Sequence, residues 1–131
     1  MLRGRFSFSQ QLHLLEKKIK QFSPSVVGIE SVAYQDVLAQ SVRSVCANFP
    51  ESFPRPSIRS VTQTKDKLTR AFHLSALFEN GTIQLRKNQN LLLEELLLFP
   101  SGSHDDLVDA LEMAVRVSQR FKTTYSTVPG I

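Results

Sequence analysis

Three aspartates stand close together near the end of the sequence, in the stretch His104-Asp105-Asp106-Leu107-Val108-Asp109-Ala110-Leu111. In a helix that begins near Ser103, Asp106 and Asp109 are i,i+3 neighbours and Asp105 and Asp109 are i,i+4 neighbours. Either pair could direct its oxygens towards one point, and carboxylate oxygens are the ligands that Mg²⁺ and Mn²⁺ prefer. This spacing is typical of half of a metal site for phosphoryl transfer.

Helix capping is the simpler explanation of the same residues. Acidic side chains in a first helical turn complement the helix dipole, and Ser103 with Asp106 fits a variant of the capping box. A second acidic element favours the metal site. The run Val26-Val27-Gly28-Ile29-Glu30 predicts a buried strand that ends in a carboxylate. Functional groups of open α/β sheets lie at the carboxyl ends of strands, so Glu30 is the candidate partner of the aspartates.

Helical and strand patterns alternate along the chain. After a helix over 8–22, with Ser7 and Gln10 as a capping box, and the strand at 26–30, a helix with an apolar face runs to Val45. Its inward residues are Tyr34, Val37, Leu38, Ser41, Val42 and Val45. A loop over 48–56, a strand over 58–61 and a helix over 65–79 follow, the helix with Leu68, Ala71, Phe72 and Ser75 inward. A short strand over 82–85 and helices over 91–99 and 104–120 complete the pattern. Such alternation predicts an α/β layered fold with at least partly parallel strands.

Composition narrows the class of protein. A chain of 131 residues with 41% hydrophobic and 21% charged residues is typical of one soluble globular domain. No secretory signal is visible, and the apolar run over 91–99 is too short to cross a bilayer. The single cysteine, Cys46, falls at an apolar helical position, which favours a buried thiol in a reducing cytoplasm. No phosphate-loop motif occurs, so no nucleotide is expected.

The distribution of charge is compatible with nucleic acid. The formal net charge is +4, and basic residues gather at 17–20, 65–70 and 116–122, around the acidic stretch over 105–112. Basic rims around an acidic centre would suit a phosphodiester backbone held over metal ions. Solvated charged faces explain each basic cluster about equally well.

Five motifs occur in an order that resembles a known family. They are Val27-Gly28-Ile29-Glu30, Lys65-Asp66-Lys67-Leu68-Thr69-Arg70-Ala71, Phe78-Glu79-Asn80-Gly81, the segment from Glu95 to Gly102, and His104 to Leu111. From about Gly4 to Arg120 the chain is similar to the C-terminal nuclease domain of the large terminase subunit of tailed phages and prophages. The resemblance implies a ribonuclease-H-like layered fold, related to Holliday-junction resolvases, with helices packed on the sheet. It also implies a site for two Mg²⁺ or Mn²⁺ ions that cuts concatemeric viral DNA during packaging.

The resemblance also implies roles for individual residues. Glu30, Asp106 and Asp109 match the catalytic metal ligands, whereas Asp105 ranks behind them as a ligand and could instead cap the helix. Lys65, Lys67 and Arg70 match a basic helix start that could contact DNA phosphates. Lys67 could equally face solvent. Independently of the resemblance, His104 lies next to the acidic stretch and could bind a scissile phosphate, although an ordinary polar residue in the first helical turn is the simpler explanation.

One motif of the family is not matched. The family's first acidic motif is an Asp on a central strand upstream of the Glu strand, and the only carboxylate before Glu30 here is Glu16, inside an amphipathic helix. We therefore expect a nuclease domain over 1–122 that is incomplete at its N-terminus, with the first strands of the sheet missing, and a flexible tail over 123–131. A sheet without its central strand exposes an edge, which favours either self-association into a homo-oligomer or instability.

Three functions remain open from the sequence. The first is a Mg²⁺- or Mn²⁺-dependent DNA endonuclease that takes its first Asp from another chain. The second is a catalytically inactive prophage remnant, or a non-enzymatic fragment for DNA binding or packaging interactions. The third is an unrelated α/β interaction domain with helix-capping acids. The first two imply double-stranded DNA, an upstream terminase fragment or other packaging proteins as partners, no membrane, and the cytoplasm of a bacterial host as location.

Overall fold

The computed structural model describes residues 2–32, 35–63 and 65–126. In chain order the elements are α1 (Phe8–Phe22), β1 (Val26–Glu30), α2 (Gln35–Ala47), β2 (Ser57–Val61), α3 (Lys67–Glu79), α4 (Asn90–Leu98) and α5 (Asp106–Ser126). The chain divides into two compact units. We call residues 5–32, 35–63 and 116–126 the sheet unit, and residues 2–4 and 65–115 the helical unit. The α/β class expected from the sequence is confirmed.

The first helix of the sheet unit begins at the predicted capping box. The Ser7 hydroxyl accepts a hydrogen bond from the Gln10 N–H at 3.3 Å, and the Gln10 side-chain oxygen accepts from the Ser7 N–H at 2.8 Å. These two bonds satisfy backbone donors that have no partner inside the helix. The helix ends at Ser23, which adopts the left-handed conformation with φ 46°. Ile19 is the residue of α1 that is buried in the core.

The two strands pair in parallel, with Val27 opposite Ile58 and Ile29 opposite Ser60. Within the described residues this sheet has two strands, and α2 connects them. Side chains alternate between the two faces of a strand, so Val27, Ile29 and Ile58 share one face. That face packs into the main hydrophobic core, whose buried members are Ile19, Ile29, Leu38, Ala39, Val42, Cys46, Phe49 and Ile58.

The inward face of α2 is only partly the predicted one. Leu38 and Val42 are buried as expected, but Val37 is exposed, and Tyr34 lies outside the described residues. The buried stripe is completed by Cys46, and burial, reinforced by the negative charge of Glu16, raises the pKa of its thiol. The prediction of a buried thiol is therefore confirmed. A raised pKa keeps Cys46 protonated and unreactive at neutral pH.

Gly28 lies on the opposite face of β1, where a larger residue would be crowded. A Cβ atom at this position would lie 3.0 Å from Cγ2 of Val117 on α5 and 3.1 Å from Cγ2 of Val61 on β2. These approaches are shorter than ordinary van der Waals contacts, so α5 packs on this face because position 28 is glycine.

We expect Gly28→Ala to lower the free energy of unfolding by about 1–3 kcal/mol, because the added methyl overpacks a filled space. Urea denaturation followed by circular dichroism measures the change. In a Val117→Ala background the same substitution should be better tolerated, since one of the two obstructing methyls is gone. An equal loss in both backgrounds would show that this contact does not limit position 28.

The helical unit begins with α3, which Asp66 caps. Its carboxylate accepts the Thr69 N–H at 2.7 Å, and this hydrogen bond lowers the pKa of Asp66. The helix ends at the predicted Asn80-Gly81, with Gly81 at φ 80°. The Asn80 side-chain oxygen then accepts the Thr82 N–H at 3.0 Å, and the Ile83 N–H donates to the Leu77 carbonyl at 3.1 Å. The strand predicted over 82–85 was wrong, because these bonds fold the segment back onto the end of α3.

The inward face predicted for α3 was also wrong. Leu68, Phe72 and Ser75 are exposed, and the buried residues are Arg70 and Leu74. The helix is rotated so that the Arg70 guanidinium reaches the Asp109 carboxylate, with which it forms an ion pair. This polar contact joins residues that are 39 positions apart in the chain, and it lies on the face of α3 that turns inwards.

The last two helices follow the sequence pattern more closely. The helix predicted over 91–99 is confirmed as α4, with Leu92 and Glu95 buried. Helix α5 continues six residues beyond its predicted end, because neither Gly nor Pro interrupts it before Pro129. Residues 123–126 of the predicted tail are therefore helical, and 127–131 lie outside the described residues. Among the described helices, none is long and apolar enough to span a bilayer.

Candidate functional site

The acidic segment lies in the first turns of α5. The helix begins at Asp106, and the Asp105 carbonyl accepts the Asp109 N–H at 2.8 Å, which closes the first turn. Asp106 and Asp109 are therefore i,i+3 neighbours, as the sequence predicted.

The cap of α5 is provided by a different helix. Glu95 of α4 accepts the Leu107 N–H at 2.9 Å and the Val108 N–H at 3.4 Å, both through Oε1. Its other oxygen, Oε2, lies 2.6 Å from Nη1 of Arg3. Only 3% of the Glu95 side chain is exposed. This buried carboxylate therefore fixes the start of α5 through two backbone amides, and it is itself paired with the Arg3 guanidinium. The sequence had suggested Ser103 or Asp105 for the cap.

The three aspartates differ in their surroundings. Asp105 forms an ion pair with Lys67 at 2.7 Å, and Asp109 forms one with Arg70. Arg70 is 7% exposed at its side chain, and its guanidinium also lies 6.0 Å from the centre of the Phe99 ring. Asp106 is exposed and makes no ion pair within the part of the chain that the structure describes. Of the three carboxylates, that of Asp106 is the most accessible to an incoming cation.

Glu30 ends β1, as predicted. Because side chains alternate along a strand, Glu30 shares its face of the sheet with Gly28, the face on which Val117 packs. Glu30 belongs to the sheet unit, and the three aspartates belong to the helical unit. Over residues 2–32, 35–63 and 65–126, no three His, Cys, Asp or Glu side chains are grouped so that they could hold a metal ion.

The basic candidates fall into two groups. Lys65, Lys67 and His104 are exposed, and Lys67 is the partner of Asp105. Arg70 is buried with its guanidinium directed at Asp109. In this arrangement the first three side chains are accessible to a ligand, while Arg70 supports an acidic residue.

Sequence reasoning missed two residues that shape this region. Glu95 entered the sequence analysis only as the start of a motif, yet its spacing of three from Leu92, which is buried, places it on the inward face of α4. A carboxylate at such a position signals a buried polar contact. Glu112, almost completely buried on α5 three residues after Asp109, is the second.

A third residue was assigned to a different role. The sequence placed Arg116 in a basic surface cluster. Its guanidinium instead donates to the Thr62 carbonyl at 2.9 Å and to the Gln63 side-chain oxygen at 2.8 Å. Arg116 therefore ties α5 to the segment that follows β2, within the sheet unit.

A comparison with family models identifies the class of protein. The model described as the terminase RNaseH-like domain matches residues 1–116, and the chain therefore belongs to this family. The resemblance based on the order of the five motifs is confirmed. Neither curated proteins nor solved structures gave a significant match. Membership implies a DNA-packaging nuclease family whose domains generally use divalent metals.

Proposed function

We propose that this chain is a nuclease domain of a phage or prophage packaging terminase, in which Glu30, Asp106 and Asp109 hold divalent cations. Its substrate would be the phosphodiester backbone of concatemeric viral DNA. The observation that carries the proposal is the exposed carboxylate of Asp106, at a helix start that a buried Glu95 fixes in place. An acidic group left accessible on a rigid support is what a metal site requires.

The donor chemistry fits the metal. Mg²⁺ and Mn²⁺ favour carboxylate oxygen, and the proposed ligands provide one carboxylate from β1 and two from α5. Bound cations would neutralise charge on the phosphate and make a water molecule more acidic. In this proposal Glu30, Asp106 and Asp109 hold the cations, and Arg70 orients the carboxylate of Asp109. Asp105, paired with Lys67, would be an auxiliary ligand.

The exposed basic residues of the helical unit would hold the DNA. Lys65 precedes the cap of α3, Lys67 is the first residue of α3, and His104 precedes α5. Phosphate contacts of this kind depend on salt, because binding releases condensed counterions. Lys65→Gln should therefore weaken DNA binding at low salt and reduce the slope of log K against log salt concentration by about 1. Fluorescence anisotropy with a labelled duplex measures both quantities, and an unchanged slope would remove Lys65 from the interface.

Catalysis is tested by nicking of supercoiled plasmid in Mn²⁺. If the chain hydrolyses DNA without an Asp from an upstream fragment, the unaltered chain should nick the plasmid, and Glu30→Ala and Asp106→Ala should each abolish nicking. Glu51→Ala is the matched control, since Glu51 is an exposed carboxylate in the loop before β2. Equal background in all four proteins would rule out catalysis by this chain.

A non-catalytic role in DNA binding is the second candidate. It is favoured by the ion pairs of Asp105 and Asp109 and by the lack of a three-donor cluster within the described residues. Salt-dependent DNA binding without Mn²⁺-dependent nicking would support this role over the nuclease. Absence of binding at low salt would contradict both.

A further inference from the structure

The two helices before α5 leave an apolar groove on the surface of the helical unit. Leu68 and Phe72 lie one turn apart on α3, and Leu93 and Leu97 lie one turn apart on α4. All four are exposed, and all four line a groove of about 410 Å³. The rest of its lining is also uncharged, with Ser75 as the only polar side chain. The groove is thus a surface with the composition of a protein interior.

The apolar surface of the groove is large for a single patch. At roughly 200 Å² for a fully exposed Leu or Phe, the four residues together present roughly 500 Å² of apolar surface, in the upper part of the range of the largest patches of typical monomers. Two such surfaces placed face to face would remove roughly 1,000 Å² from water before any rim is counted, which reaches the area that a specific interface needs.

The groove and the side chains that could fill it lie on the same face. Phe72 is 69% exposed and Leu97 is 76% exposed, so both project from the helices that form the walls. A twofold axis through this face would allow each copy to insert these side chains into the groove of the other, which is the requirement of an isologous dimer. Among the described residues, no charged side chain lines the groove, so these linings would not repel each other in a dimer, and they offer no partner for a phosphate backbone.

We propose that the α3–α4 groove is the interface of a homodimer of this chain. The interface is independent of the acidic residues and of any nuclease activity. It also differs from the free sheet edge, for which the sequence predicted self-association. The second copy would cover Leu68, Phe72, Leu93 and Leu97.

Sedimentation equilibrium of the full chain over a hundredfold range of concentration tests this interface. We expect the unaltered chain to approach twice its 14.8 kDa mass at the upper end. Phe72→Asp should weaken association by about a hundredfold or more, because it places a charge in a desolvated contact. Phe22→Asp is the matched control, since Phe22 is 65% exposed on α1 and lies outside the groove.

Circular dichroism confirms that each variant folds, and Leu97→Ser provides a milder test should Phe72→Asp fail to do so. A monomer at every concentration would overturn the proposal. It would also be overturned by a dimer that survives both groove substitutions, or by one that Phe22→Asp disrupts equally.

Discussion

Glu95→Ala is expected to lower the free energy of unfolding by about 2–4 kcal/mol, a large part of the stability of a domain of this size. The substitution removes the acceptor of the Leu107 and Val108 N–H groups and the partner of Arg3. Both amides lie at a helix start where no carbonyl of the helix can replace the lost acceptor. Urea denaturation at neutral pH gives the free energy directly.

Two further variants separate the contribution of the Glu95 cap to stability from the contribution of its charge. Glu95→Gln keeps an oxygen for the two amides but loses the charge that attracts Arg3, so its loss should be intermediate. Glu94→Ala changes the neighbouring carboxylate, which is exposed, and should alter stability by less than about 0.5 kcal/mol. If Glu95→Ala and Glu94→Ala were equally mild, the buried carboxylate would not be the cap of α5.

Asp109→Ala should be nearly as destabilising, by about 3 kcal/mol, whereas Asp106→Ala should change stability by less than about 0.5 kcal/mol. The difference follows from Arg70, which is 7% exposed and would be left as a buried charge without its partner. Chemical denaturation of the two variants in the absence of divalent metal measures the contrast between adjacent turns of one helix.

The role of Arg70 can be isolated by a double-mutant cycle. Arg70→Met combined with Asp109→Ala should be more stable than the sum of the single losses predicts, because neither charge is then left alone. Additive losses would mean that the pair is not coupled. Equal losses in Asp109→Ala and Asp106→Ala would contradict the different surroundings of these aspartates.

The parts of the fold that were predictable depend on neighbours in sequence. The capping box of α1 and the strand at Val26–Glu30 are each determined by a few consecutive residues, and both were predicted with their observed bounds. The end of α3 at Asn80-Gly81 is local in the same way. Such signals act through hydrogen bonds and sterics within one or two turns.

The errors have the opposite origin. The rotation of α3 depends on a pair between Arg70 and Asp109, which are 39 residues apart. The cap of α5 depends on Glu95, which lies 12 residues before the amide it accepts. For α3 the hydrophobic pattern favoured another solution, with Leu68 and Phe72 buried, and for α5 the local capping residues favoured Ser103 or Asp105. A distant polar contact can override periodicity when it is buried, because an unsatisfied charge costs more than an exposed leucine.

The sequence was enough to identify the three acidic residues, but it did not show that their side chains differ in accessibility. The spacing of Asp105, Asp106 and Asp109 marks a possible site and gives no preference for one carboxylate as the accessible one. That preference comes from α3, where Lys67 and Arg70 engage the outer two aspartates. The position of Asp106 between two ion-paired neighbours is what makes it the key residue of the proposed metal site.

Binding of Mn²⁺, followed by the loss of the electron paramagnetic resonance signal of the free ion, tests this account most directly. We predict saturable binding to the unaltered chain that Asp106→Asn weakens by at least about tenfold, while Glu51→Gln leaves it unchanged. The readout requires neither DNA nor turnover, so it holds even for a site that cannot complete hydrolysis. Equal Mn²⁺ affinity in the unaltered chain and in Asp106→Asn would contradict the account.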